Sequence, residues 1–173
     1  QNLTATTSAS LGTVNPINLS GTYNGVSQSL CMTGSLNLTG GLPGTLSADA
    51  CVVGGTLTGA SFQGQMALPG AGSVQLDGSY NESAGELCLS GDLNTTGQVP
   101  ITLAANGCVT GSELASLDFQ GDATLTGVGT AALSGSYDHQ ADTLCLAGQM
   151  NVSGNPSATL NANGCVVAGA LDN

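Results

Sequence analysis

Apolar and polar residues alternate in short runs along this chain. In one stretch Phe62, Gly64, Met66 and Leu68 are separated by polar or small residues, and Val74, Leu76, Gly78 and Tyr80 follow the same rule. So do Leu87, Leu89, Gly91 and Leu93, and then Ile101, Leu103, Ala105, Gly107 and Val109. A period of two places one set of side chains on each face of a β-strand. The segments between the runs, PGAG, NESAG and TGQVP, carry the Gly, Pro, Asn and Ser that tight turns use, and they are of hairpin length. The pattern therefore predicts four antiparallel strands and no helix.

The same pattern occurs three times. Tyr23, Tyr80 and Tyr137 are 57 residues apart, as are Cys31, Cys88 and Cys145, and again Cys51, Cys108 and Cys165. Neighbouring words agree: SGTYN, DGSYN and SGSYD; LCMTGSLNL, LCLSGDLNT and LCLAGQMNV; DACVVGGTL, NGCVTGSEL and NGCVVAGAL. No insertion or deletion interrupts the period, and three units account for 171 of the 173 residues. The boundaries are 1–57, 58–114 and 115–173, read as three β repeats of one continuous structural domain. The fold class expected is all-β, with about 12 strands in three four-stranded antiparallel repeats.

Register follows from arithmetic. A turn centred near Gln98 sets Cys88 opposite Cys108 and Leu93 opposite Leu103, with the Leu pair on one face and the Cys pair on the other. Opposed residues in antiparallel strands lie ~4.5–5.5 Å apart at Cα, within the span of a disulfide. Cys31–Cys51, Cys88–Cys108 and Cys145–Cys165 are the expected pairs. A connectivity joining equivalent Cys of neighbouring units competes, and the hairpin register favours the local one. Zinc ligation would want a close pair such as C-x2-C, which is absent.

Composition narrows the function. There is no Lys or Arg against 11 Asp and Glu, a net charge of −11. Phosphate neutralisation by side-chain cations is therefore unavailable, and nucleic acid is not an expected partner. No apolar run reaches the ~18 residues of a membrane helix. With 40% hydrophobic and 6% charged residues the chain should fold rather than stay disordered. Six Cys with no basic leader before Gln1 point to an extracellular or cell-surface protein whose signal peptide has been removed.

Candidate chemistry is sparse. His139, the one histidine, stands in the predicted hairpin loop after Tyr137 and aligns with Gly25 and Glu82 in the other units. With no G-x-S-x-G elbow, it reads as a solvated turn residue rather than part of a triad. Carboxylates do not recur across units: the first holds Asp49 alone, while the others hold five each. Divalent cations between acidic loops remain a candidate partner, although no EF-hand pattern occurs. Of six Asn-X-Ser/Thr sequons, Asn37, Asn94 and Asn151 are equivalent and make candidate N-glycosylation sites. No enzyme activity, cofactor or metal is expected.

Two functional readings follow. Threefold repetition of four strands suits a monomeric carbohydrate-binding module of prism or trefoil type, but the chain lacks Trp and a Gln-X-Trp signature. Regular Thr-X-Thr ladders of the ice-binding kind are also missing. The second reading starts from the ends. An open repeat stack needs capped ends, and three units leave no residues for caps. Either the units close into a ring or the next chain covers each end, and the latter gives a head-to-tail homopolymer. The opening TATTSAS lacks the Phe-Gln-Gly word of Phe62 and Phe119, as a strand donated to another subunit can. The open stack is therefore favoured over the closed threefold form. The expected function is a secreted, self-assembling subunit of a filament, pilus-like fibre, sheath or surface layer.

Overall fold

A computed structural model describes residues 2–11, 14–40, 42–54, 56–81, 83–152 and 157–172. The described residues form an all-β protein. Its strands are β1 (Asn2–Leu11), β2 (Val14–Asn24), β3 (Ser29–Leu38), β4 (Gly44–Val53), β5 (Thr56–Leu68), β6 (Gly72–Asn81) and β7 (Glu86–Asn94). They continue with β8 (Thr102–Thr110), β9 (Glu113–Leu114), β10 (Asp118–Leu125), β11 (Gly129–Asp138), β12 (Thr143–Val152), β13 (Ala158–Val167) and β14 (Ala170–Asp172). The hydrogen-bonded order follows the chain from β1 to β14, with β9 beside β8 as the one strand off the path. Among the described residues the order begins at β1 and ends at β14.

Fourteen strands replace the 12 expected. The extra two are the short β9 and β14, which fold back on the ends of β8 and β13 through Val109↔Leu114 and Val166↔Leu171. At the first repeat boundary the corresponding residues instead run straight into β5, with a register shift after Cys51.

Alternation is realised as burial. Along β7 Leu87, Leu89 and Leu93 are buried, while Glu86, Cys88, Ser90 and Asp92 are exposed. Each hairpin between the second and third strands of a repeat is tied by one side chain. Asn24 Oδ1 accepts from the N–H groups of Val26 and Ser27, Asn81 Oδ1 from Ser83 and Ala84, and Asp138 Oδ1 from Gln140 and Ala141. These Asx turns are why the period survives the divergence of NGVS, NESA and DHQA.

The chain packs as two compact units that cut across the repeats. The first comprises Gln1–Gln65, Leu76–Leu89 and Cys108–Ala115; the second comprises Met66–Gln75, Ser90–Gly107 and Ser116–Asn173. Phe62 is 1% exposed in the core of the first, and Phe119 is 2% exposed in that of the second. The first is joined across by a parallel bridge, Thr39↔Glu113, and the second by Thr96↔Ala170. Those two bridges are themselves one repeat apart.

Candidate functional site

The three predicted disulfides are present: Cys31–Cys51, Cys88–Cys108 and Cys145–Cys165, with Cα separations of 4.1, 4.0 and 4.0 Å. The register is the expected one, with Leu36 opposite Leu46 in the first hairpin and Met150 opposite Leu160 in the third. Each bridge lies on the polar face, away from the Leu layer. Disulfides of this kind belong to an oxidising compartment.

Asn37, Asn94 and Asn151 are exposed on that same polar face. Each accepts a hydrogen bond at Oδ1 from the hydroxyl of a Thr on the next strand: Thr45 at 3.0 Å, Thr102 at 2.7 Å and Thr159 at 3.3 Å. The amide is thereby oriented at all three positions, with Oδ1 occupied by the Thr. The ladder was accessible from sequence, because each Asn and Thr are eight residues apart in a hairpin of known register. Of the remaining sequons, Asn81 uses its side chain in an Asx turn, and the side chain of Asn2 lies outside the described residues.

A second recurring contact had no such signal. The Thr39 N–H donates to the Ser112 carbonyl at 2.6 Å, and the Thr96 N–H donates to the Gly169 carbonyl at 2.6 Å. Each Thr hydroxyl reinforces the contact, Thr39 at 3.0 Å from Ser112 Oγ and Thr96 donating to the Gly169 carbonyl at 3.1 Å. The loop after the third strand of one repeat is thus latched to the end of the next repeat. These bonds join residues 73 apart, which no local pattern reports.

Residues that would carry catalysis are dispersed. His139 is exposed in the β11–β12 turn, and the carboxylates of Asp49, Asp77, Glu86, Asp92, Glu113, Asp118, Asp122, Asp138 and Asp142 are exposed as well. Among the described residues no three of His, Cys, Asp and Glu gather into a metal-binding group. No helix of the described residues is long and apolar enough to cross a membrane. Tyr137 is strongly perturbed. Its hydroxyl donates to the Pro69 carbonyl at 2.8 Å and lies 3.2 Å from Asp142 Oδ1. Burial, helped by the hydrogen bond to Asp142 and by the charges of Asp142 and Asp138, raises it to about 12.

The distinctive surfaces lie where the repeat pattern stops. Leu46 and Leu103 are 1% and 0% exposed, whereas their equivalent Leu160 is 47% exposed. In the second unit a cleft of about 670 Å³ opens beside β13, walled by Ala123, Leu125, Ala131, Leu133, Met150 and Ala162. The preceding repeat carries Met66 and Val74, both buried, at the positions of Ala123 and Ala131. The cleft is therefore partly a consequence of two shortened side chains. Its described lining has no titratable group, so it offers apolar contact and amide hydrogen bonds rather than reactive chemistry. At the other end of the strand order Leu3 is 67% exposed, while Leu117, its equivalent in the third repeat, is 0% exposed. No protein-family profile, curated protein or solved structure matches this chain.

Proposed function

We propose that this protein is a secreted structural subunit that assembles with copies of itself into an extracellular filament, pilus-like fibre, sheath or surface layer. The observation that carries the reading is the mismatch between equivalent residues. Leu3 and Leu160 are exposed, while the residues at their positions in the other repeats are buried, and they lie on strands near opposite ends of the hydrogen-bonding order. Exposed apolar side chains beside unpaired strand edges favour strand addition. A head-to-tail contact that does not close extends into a filament.

The composition supports the same reading. With no Lys or Arg the chain has no trypsin site, and each repeat carries its own covalent staple. A carbohydrate-binding alternative wants an exposed aromatic platform, whereas Phe62, Phe119 and Tyr137 are buried. Negative-stain microscopy of the protein from its native source tests the proposal. Regular fibres or sheets are expected, and a field of single particles of about one chain's size overturns it.

A further inference from the structure

Two joints between successive repeats obey one rule. In the first unit β4, the fourth strand of its repeat, pairs with β5, the first strand of the next, so that Ala48 faces Phe62 and Ala50 faces Ala60. In the second unit β8 pairs with β10 and Ala105 faces Phe119. The remaining fourth strand is β13. Among the described residues its outer side is paired only along 165–167, by β14. The backbone of 158–164 is left as an edge. β1 is the converse, a first strand that pairs with β2 at the start of the strand order.

We infer that β1 of a second copy adds antiparallel to the outer edge of β13, in the register of the internal joints, with Ala5 opposite Ala162 and Leu3 opposite Gly164. The inference rests on the self-assembly reading above and specifies its strands. It takes its geometry from the internal joints, which already show fourth and first strands of this sequence fitting together.

The residues of β1 suit the place. Leu3, Ala5, Thr7, Ala9 and Leu11 alternate with Thr4, Thr6, Ser8 and Ser10, so the strand is amphipathic with period two. Side-chain size also matches across the joint. Phe62 meets Ala48 and Phe119 meets Ala105, so a large residue is met by a small one. Leu3 would come to Gly164 in the same way. Leu160 and the cleft wall at Ala162 and Gly164 supply the apolar surface that the added strand covers. Strand addition of this type takes its affinity from main-chain hydrogen bonds and its specificity from alternate side chains.

One position departs from the rule. A Cβ on Gly64 would stand 2.7 Å from the Thr45 carbonyl oxygen, and one on Gly121 would press on the Thr102 carbonyl oxygen, backbone atoms that cannot turn aside as the neighbouring Leu46 and Leu103 side chains can. The internal joints therefore require glycine there, and β1 carries Thr7 instead, opposite Leu160. The joint between copies is accordingly looser than the joints within one copy, which makes it the reversible step of assembly.

Mixing two single variants of the full chain, Ala5→Cys and Ala162→Cys, under mild oxidation tests the register. All six native Cys are paired, so each variant adds one free thiol. A disulfide-linked dimer is expected in the mixture and in neither variant alone. Thr7→Gly provides a gain of function that misfolding cannot imitate: it should lower the protein concentration at half-assembly by about tenfold. Like-with-like dimers in place of the mixed one, or Thr7→Gly assembling no better than the parent, overturn this joint. If the parent still assembles in those cases, the joint alone falls; if the parent stays a single chain, the self-assembly reading falls with it.

Discussion

Leu103 lies against Gly121 of the following repeat, and a methyl group on that glycine would come within 3.0 Å of Leu103 Cδ2. The contact fixes two different sensitivities. Leu103→Ala, at a site that is 0% exposed, should cost about 2–5 kcal/mol of stability. Leu160→Ala, its equivalent at 47% exposure, should cost the isolated chain less than about 1 kcal/mol. Thermal melts of the two variants at low concentration check the difference. Equal losses would mean that Leu160 is covered within its own chain.

Gly121→Ala should behave as an overpacked core variant, because its new methyl meets both the Thr102 carbonyl and Leu103. A loss of about 1–3 kcal/mol is expected, measurable by chemical denaturation. A neutral outcome would remove the steric basis for the glycine at this position and at Gly64.

The disulfides close loops of 20 residues, each worth about 3 kcal/mol in the chain-entropy account. Replacing Cys145 and Cys165 together by Ala should lower the melting temperature and leave the other two bridges intact on non-reducing peptide mapping. Recovery of a peptide joining Cys51 to Cys88 would contradict the hairpin register.

Tyr137 gives a pH dependence with a definite sign. Its hydroxyl holds its proton more tightly in the folded state, at about 12 against the ordinary 10. The stability it contributes is complete below about pH 10 and is lost as pH rises from there through about 12. Tyr137→Phe removes the donor to the Pro69 carbonyl and should cost about 1–2 kcal/mol at neutral pH. The variant should also lose the Tyr137 part of the alkaline transition. Identical alkaline melting curves for parent and variant would show that Tyr137 is not the group responsible.

Much of this architecture was legible because its carriers repeat. The Cys and Tyr spacings gave the period, and the opposition of Leu36 and Leu46 follows from the same turn that pairs Cys31 with Cys51. Leu42 was not legible. It sits in the turn-like segment TGGLPG and yet is 2% exposed, since alternation assigns faces only within strands. Glu113–Leu114 and Ala170–Asp172 are too short to carry a period, so β9 and β14 went unseen. Alternation alone places Tyr23 and Tyr80 on the core face with Tyr137, yet those two are half-buried, whereas Tyr137 is buried with its hydroxyl on the Pro69 carbonyl. The two packing units cross the repeat boundaries, and a one-dimensional pattern does not say which distant strands will share a core.

Charge predicts how assembly responds to the medium. Copies carrying −11 each repel, and no side-chain cation other than protonated His139 offsets a carboxylate. Salt screens that repulsion over ~8 Å at physiological strength. Acidification weakens it by protonating carboxylates. Light scattering should therefore rise with added salt and as pH falls from 7 toward 4. Dissolution on acidification, or indifference to both variables, would mean that charge does not govern the contact.

The central claim is that copies of this chain join one another. Sedimentation velocity of the purified full-length protein over a range of concentrations measures that directly. The account predicts species at successive multiples of 16.8 kDa, growing with concentration and reduced to the single chain when residues 1–11 are deleted. A single 16.8 kDa boundary at every concentration would contradict it.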